Sequence, residues 1–413
     1  MNKKEKSWIL YDWANSAYSM AVTSTILPIF FKDVASKGLS DTDSSAFWAY
    51  SNSIETVLLV LMLPILGTIA DYKNMKKRFF IFFLLMGIFF TGLLSTVSEG
   101  QWFFCLFIYV LTAIGFSGSN LFYDSMLVDV TTEDRMDWVS TNGFAYGYIG
   151  STIPFIISIA LIMKPQILGF DSAIIPTKLS FIITALWWFI FSIPLLKNVQ
   201  QVNYLEPCTR PVKESFLRLI KTFKEIKQYK NIFLFLLAFF FYIDGVHTII
   251  SMATIFGKDI NLSNTTLMVV LLVIQFVAFP FAIIYGKLAQ KFSAKIMLFV
   301  GIIVYTFVTI YAYFIKSELE FWILGLLVAT SQGGIQALSR SLFGKIIPKE
   351  KSAEFFGFYN IFGKFAAIFG PLLYGMASQI TGNPRFGVLS LIILFIIGGV
   401  LMIFVKAQSP SKS

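Results

Sequence analysis

Tyr11, Asp12, Trp13, Asn15 and Tyr18 fall within eight residues in an otherwise apolar setting. Helical spacing sorts Tyr11, Asn15 and Tyr18 onto one flank and Asp12, Ser16 and Ser19 onto the next. Phenols, an amide and a carboxylate in that arrangement can hold a small polar solute or a proton. The alternative is a cap, with Asp12 closing the helix start and Trp13 sitting in an interfacial aromatic belt. Other groups follow the same i, i+3, i+4 rule: Asn120, Tyr123 and Asp124; Asp244, His247 and Ser251; Gln332, Gln336 and Arg340; Asn360 and Lys364. Glu55 stands by itself in a long apolar run. Left unpaired in lipid, Glu55, Asp124, Asp244 and Lys364 would together cost on the order of 10 kcal/mol, so they must face one another or a wet cavity.

Roles can be assigned from chemistry. His247, the single histidine, is either a proton relay or a satisfied interior group. Lys364 lies too deep to snorkel, and reads as a solute ligand or a counter-ion to Glu55 or Asp244, or as half of a structural ion pair. Asp124 and Arg340 could form a gate. The chain has no nucleophile elbow, no phosphate-cradling glycine loop before a lysine, and no histidine pair at metal-binding spacing. No catalytic residue, metal or cofactor is therefore expected, and ATP-driven chemistry would need a partner chain. Cys105 and Cys208 belong to different depths, so a disulfide is not expected.

The elements that must position these groups are membrane spans. The 413 residues are 56% hydrophobic, 17% aromatic and only 14% charged, with a mean hydropathy of +0.74, which excludes an ordinary soluble domain. Twelve apolar runs of about 20 residues can each cross a bilayer. The third, sixth, ninth and twelfth (Phe79 to Ser98, Leu179 to Leu196, Ile296 to Ile315, Phe386 to Val405) lack Asp, Glu, Lys, Arg and His and read as lipid-facing struts. The first, from Trp8 to about Val34, is too long for a signal-peptide core and is expected to be retained. The expected fold is an all-α membrane protein with twelve transmembrane helices in two pseudo-symmetric six-helix bundles. Residues 1–197 form the first bundle, 198–230 a cytoplasmic linker, 231–406 the second bundle and 407–413 a cytoplasmic tail.

The net charge of +10 reflects topology rather than nucleic-acid binding. With both termini cytoplasmic, about 25 of the 33 Lys and Arg lie inside, and Lys32, Lys37, Lys164, Lys178, Lys258, Lys316 and Arg385 outside. In the linker, Phe216, Ile220, Phe223 and Ile226 recur at helical spacing among Lys213, Arg218, Lys221, Lys224 and Lys227, as in an amphipathic helix lying on an anionic leaflet.

The two halves repeat. Gly67-Thr-Ile-Ala-Asp71-Tyr-Lys-Asn-Met-Lys76-Lys77-Arg78 after the second span matches Gly286-Lys-Leu-Ala-Gln290-Lys-Phe-Ser-Ala-Lys295 at an offset of 219. Asn120, Asp124 and Ser125 match Gln336, Arg340 and Ser341 at 216. Gly67 and Asp71, with Lys76, Lys77 and Arg78, read as a conformational latch rather than a solute site. Asp129, Glu133, Asp134 and Asp137 around Arg135 are candidates to pair with that basic loop.

At these residues the chain resembles the major facilitator superfamily. Tyr11-Asp-Trp-Ala-Asn-Ser-Ala-Tyr18, Phe122-Tyr-Asp-Ser125, Gly334-Ile-Gln-Ala-Leu-Ser-Arg-Ser341 and Ala353-Glu-Phe-Phe-Gly-Phe-Tyr359 resemble its branch of autophagy-related vacuolar effluxer-like permeases and their bacterial relatives. The resemblance implies alternating access by rocking of two halves and, from the vacuolar members, amino-acid export. Tyr72, Asn74 and Gln290 depart from the superfamily loop pattern of a basic residue, a glycine and an acid. The expected function is secondary active transport of a small polar or zwitterionic solute, plausibly amino acids outward, coupled to protons. The alternatives are a proton-coupled exporter of amphipathic cations or lipids, and a non-transporting receptor or scaffold. The expected partners are a small-molecule substrate, protons and membrane lipid, with no nucleic acid. The expected setting is a monomer in a bacterial cytoplasmic membrane, an organelle membrane being the second choice.

Overall fold

The computed structural model describes residues 1–206, 211–224, 228–260 and 262–406. Lipid offers no partner to a backbone N–H or C=O, so a spanning chain must satisfy both within itself, and helices do so. Among the described residues, eleven helices are long and apolar enough to cross a membrane. The first expected span, from Trp8 to about Val34, is not one helix. It runs as α1 (Lys3–Tyr18), a π-helical turn (Ser19–Ser24), α2 (Ile26–Phe30) and a second π-helical turn (Phe31–Ala35). The break falls at Thr25 (φ −136°, ψ −73°), whose hydroxyl donates to the carbonyl of Met20. Pro28 then removes one backbone donor from α2.

The remaining helices are α3 (Asp41–Ala70), α4 (Met75–Leu93), α5 (Trp102–Ser125), α6 (Leu127–Val130), α7 (Glu133–Met163), α8 (Ile174–Asn198), α9 (Pro211–Lys224), α10 (Lys230–Asp259), α11 (Asn264–Phe292), α12 (Ala294–Phe314), α13 (Glu318–Ile346), α14 (Ser352–Thr381), α15 (Pro384–Ser390) and α16 (Ile392–Phe404). The last expected span is α15 and α16 together, stepped at Leu391. The amphipathic linker segment is helical as α9. Ile226 and Lys227 of that expectation, Cys208, and the tail 407–413 lie outside the described residues.

The chain folds as two compact units, 1–130 with 146–215, and 131–145 with 216–413. The first turns of α7 therefore belong with the second unit. In the first unit α4 packs on α5, α1 on α8 and α3 on α5. A Cβ on Gly115 would run into the backbone of Gly87, which is how α4 and α5 come so close. In the second unit α10 packs on α14 and α16, and α13 on α11 and α12. The charge-free spans expose apolar side chains, including Phe82 and Phe89 on α4, Leu186 on α8, Ile303 on α12 and Ile396 on α16.

The internal repeat has a backbone signature. Among the described residues, Asn74 (φ 63°) and Ser293 (φ 102°) are the non-glycine residues with positive φ, and they stand at the matching repeat positions immediately before α4 and α12.

Candidate functional site

In the first unit α1 and α5 meet through polar groups. The Tyr11 hydroxyl donates to Ser119 Oγ at 3.0 Å, and Asn15 Nδ2 donates to Asn120 Oδ1 at 2.7 Å. Trp8 gives its indole N–H to the Tyr123 carbonyl at 2.9 Å, and its ring stacks on Tyr123 at 4.4 Å. The other side of the Tyr123 ring environment is Tyr11, 4.6 Å away between centroids. Asp12, Asn15 and Glu55 are buried. Glu55 accepts from Ser117 and from Thr56, both at 3.3 Å, and one turn earlier Asn52 accepts from Tyr109 at 2.7 Å.

Tyr11 and Asn15 of one expected face and Asn120 and Tyr123 of another thus meet in one connected patch. Trp13 lies apart from it, stacked on Trp187 at 5.9 Å, and Trp187 donates to the Trp13 carbonyl at 3.3 Å. Asp124 is half-buried, one turn beyond Asn120. Ser117, Ser119, Asn52 and Tyr109 were missed. The only sequence signals were the closeness of Ser117 and Ser119 to Asn120 and the i−3 spacing of Asn52 from Glu55; Tyr109 had none.

The loop after α3 is tied down by a segment that sequence reasoning had left as linker. Leu205 N–H donates to the Asp71 carbonyl at 2.8 Å and Lys73 N–H to the Leu205 carbonyl at 3.2 Å, making a one-residue parallel bridge at Tyr72. Gln201 Oε1 accepts from Lys76 N–H at 3.3 Å while its Nε2 donates to the Ala70 carbonyl at 3.1 Å. Lys76 and Asp129 form an ion pair at 2.6 Å with both side chains 0% exposed. The other Asp129 oxygen accepts from Val202 N–H, Asn203 N–H and Asn203 Nδ2 at 3.0, 2.7 and 3.0 Å. That count of donors is what lets a charge pair survive full burial. Lys77 donates to the Val199 carbonyl at 2.9 Å, at the C-terminus of α8, where the helix dipole favours a cation. Gly67 and Asp71 are buried, Arg78 is exposed and Arg135 is half-buried.

Of the acids in and just after α6, Asp129 joins the basic loop. Asp137 and Glu133 pair elsewhere, within the second unit. Asp137 meets Lys345 at 2.6 Å and accepts from Ser341 at 2.7 Å, and Glu133 meets Lys349 at 2.7 Å. Beside them Arg340, 3% exposed, donates from Nε to Ser140 Oγ at 2.9 Å and from Nη2 to the Ser140 carbonyl at 3.1 Å. Its guanidinium lies 4.6 Å from the Phe144 ring centroid. Ser140 Oγ in turn donates to the Ala337 carbonyl at 2.7 Å, which fixes the hydroxyl as an acceptor toward Arg340.

Deeper in the second unit, Asp244 is 0% exposed. Its Oδ1 accepts from the Gly370 N–H at 2.8 Å and, weakly, from Thr248 at 3.5 Å. His247 and Lys364 are half-buried on α10 and α14. Gln336 donates to the Gln332 carbonyl at 3.1 Å and Asn360 to the Phe356 carbonyl at 2.9 Å, so these amides still offer their oxygens. Tyr242 bonds Ser339 and Tyr285 bonds Ser331, each at 2.7 Å. Among the described residues no group of three or more His, Cys, Asp or Glu could hold a metal ion.

The family model described as vacuole effluxer Atg22 like matches residues 1–136 and 128–412. The chain belongs to the Atg22-like effluxer family. Its similarity to the MFS-type transporter YxiO of Bacillus subtilis, itself described as uncharacterized, is 53% identity over 411 residues, covering 99% of this chain and 96% of that one. Autophagy-related protein 22 of Kluyveromyces lactis is 23% identical over 460 residues, covering 95% and 91%. Among solved structures, the proton:xylose symporter XylE superposes with a TM-score of 0.75 at 11% identity, covering 98% and 96%. The E. coli fucose:proton symporter FucP does so with 0.73 at 14%, covering 98% of each chain. At such identities the likeness shows the fold alone. This Atg22-like chain is a multi-pass membrane protein with the major facilitator fold and is an MFS-type transporter. Its departure from the superfamily loop at Asn74 has a structural reason: asparagine is among the side chains that best tolerate the left-handed conformation a glycine would supply there.

Proposed function

We propose that this transporter moves amino acids or similar small zwitterions outward by alternating access, coupled to protons. It would sit as a monomer in a bacterial cytoplasmic membrane, in contact with its lipids and with both termini inside. The observation that carries the reading is the Tyr11–Ser119, Asn15–Asn120 and Glu55–Ser117 patch of the first unit. These polar side chains satisfy one another within spans that lipid would otherwise keep apolar. In this reading Glu55 of the first unit is a ligand for an ammonium group and Lys364 of the second a ligand for a carboxylate. The oxygens of Gln332, Gln336 and Asn360 are available to the solute. Asp12 and Asp124 set the local potential, His247 serves as a wet relay, and Arg340 with its Ser140 clamp acts as a gate. Export of amino acids follows from the vacuolar effluxers that share the family.

A second reading, export of amphipathic cations or lipids, is favoured by an apolar cavity of the second unit lined by residues such as Ile249, Met252, Phe256, Ile274 and Phe321. Counterflow of radiolabelled solutes in proteoliposomes tests both. Exchange of neutral amino acids that weakens in Glu55→Gln and Lys364→Gln supports the first. Exchange of hydrophobic cations alone replaces it with the second. No exchange of either class would return the chain to a receptor or scaffold.

A further inference from the structure

The second unit holds a carboxyl group in a setting that the transport pathway, as read from amides and lysine, does not use. Asp244 lies about 21 Å along α10 from Lys230, near the middle of a span. It points at the one stretch of α14 whose backbone ladder is broken, because Pro371 has no N–H to give. There Gly370 turns its N–H to Asp244 Oδ1 at 2.8 Å. A Cβ at position 370 would fall 2.7 Å from that oxygen and collide with Thr248, so only glycine leaves room for the carboxyl. The second oxygen, Oδ2, is buried and has no hydrogen-bond partner.

Such a site fits one charge state and not the other. An ionised carboxylate, 0% exposed and served by one short backbone donor and one hydroxyl at 3.5 Å, carries a desolvation cost of several kcal/mol that nothing repays. The neutral acid needs an acceptor for a single O–H and otherwise fits. The elements packed on α10 bring few ionisable groups that could compensate. On α10 itself stand Tyr242, engaged with Ser339, and His247. α14 brings Lys364 before Gly370 and Tyr374 one turn after it. α12 brings Tyr305, stacked at 5.7 Å on Phe395, which abuts Gly245. α11 brings Tyr285, bound to Ser331, and α15 brings Arg385. α16 has none, and α13 has none between Glu320 and Arg340.

We propose that Asp244 carries the coupled proton on Oδ2, with the Gly370–Pro371 break in α14 as the element that senses its charge. This rests on the proton-coupled reading above. With the proton on, the buried site holds a neutral group short of one acceptor rather than a bare charge, and α14 keeps its contact at Gly370. Once α14 has moved far enough to admit water, the O–H bond breaks, the proton goes to that water molecule, and the remaining carboxylate takes donors that the closed site lacks. It is satisfied only if α14 moves and water enters. Protonation and opening are then linked because the buried site, while closed, cannot hold the charge.

The test combines spectroscopy with flux, on the full-length protein in lipid. Infrared pH-difference spectra of the wild type should show the C=O stretch of a carboxylic acid that titrates. Asp244→Asn should lose that band while melting at the wild-type temperature, because the amide oxygen still accepts from Gly370. In proteoliposomes, using a mixture of radiolabelled neutral amino acids, Asp244→Asn should keep counterflow and lose accumulation driven by a pH gradient. If Asp244→Asn does not fold, Asp244→Glu should keep the band with a moved midpoint. A band that persists in Asp244→Asn, an unmoved band in Asp244→Glu, or pH-driven accumulation that survives in Asp244→Asn overturns the assignment. A wild type that exchanges amino acids but ignores the pH gradient overturns the proton-coupled reading itself, while the infrared arm still reports on Asp244.

Discussion

Two residues, Asn74 and Ser293, carry the backbone cost of the repeated turn, and they differ in how well they bear it. Asn74 at φ 63°, ψ 3° is in the ordinary left-handed well. Ser293 at φ 102°, ψ 151° is in a region that is essentially glycine's, where another side chain costs about 1–3 kcal/mol. Its hydroxyl returns little, accepting from the Ile296 N–H at 3.4 Å. Ser293→Gly should therefore stabilise the protein by about 1 kcal/mol, read as a higher melting temperature, and Asn74→Gly should be close to neutral. A second residue-scale prediction concerns the Lys76–Asp129 pair. Lys76→Met leaves a buried carboxylate without its cation and should destabilise by about 3–5 kcal/mol. Lys76→Met with Asp129→Asn should recover most of that loss, since the amide oxygen can still accept from Val202 and Asn203. Thermal unfolding of the two variants decides this. The sequence marked Lys76, Asp71 and Asp129 as partners for something. It could not show that the donors closing Asp129 come from residues 202 and 203, because that segment reads as polar linker until the chain returns to it.

At the scale of elements, the helices were legible and their interruptions were not. Span length follows from transfer free energy summed over about 20 residues, and it located the spans to within a few residues at most ends. The π turns of the first span arise where Thr25 and Pro28 withdraw local backbone partners, a sub-threshold signal in a run that is hydrophobic throughout. The amphipathic α9 was visible from its period, yet what holds it was not. Glu354, 0% exposed at the start of α14, accepts from Arg218 Nε at 2.9 Å and from Thr222 at 2.6 Å. Phe216 and Ile220, of the stripe expected to meet lipid, are left exposed. Glu354→Ala should release α9 without unfolding the spans. Amide hydrogen exchange at 214–222 should rise by at least tenfold, equivalent to losing about 1.4 kcal/mol or more of local protection, while α10 and α14 stay protected. Exchange rising equally everywhere would instead mean that Glu354 supports the whole second unit.

For the whole molecule, the testable consequence of the charge distribution is orientation. In a background with Cys208 replaced by Ser, a cysteine at the exposed position of Lys73 should react with a membrane-impermeant thiol reagent only after the cells are opened. One at the exposed position of Lys316 should react on intact cells. The reverse pattern would invert the topology and with it the direction assigned to transport. The sequence by itself determined the all-helical membrane class, the family and the rough limits of most spans. Each of these is written in local hydrophobicity or in residue identity, and neither depends on which helix lies beside which. Only the tertiary structure decided where each buried polar group finds its partner: Asn15 with Asn120, Asp137 with Lys345, Arg340 with Ser140, Asp244 with the backbone of Gly370. A side chain in a low-dielectric interior is satisfied by whatever donor packing brings within 3 Å, and such donors lie up to 208 residues away along the chain, often on a backbone that no residue type reveals.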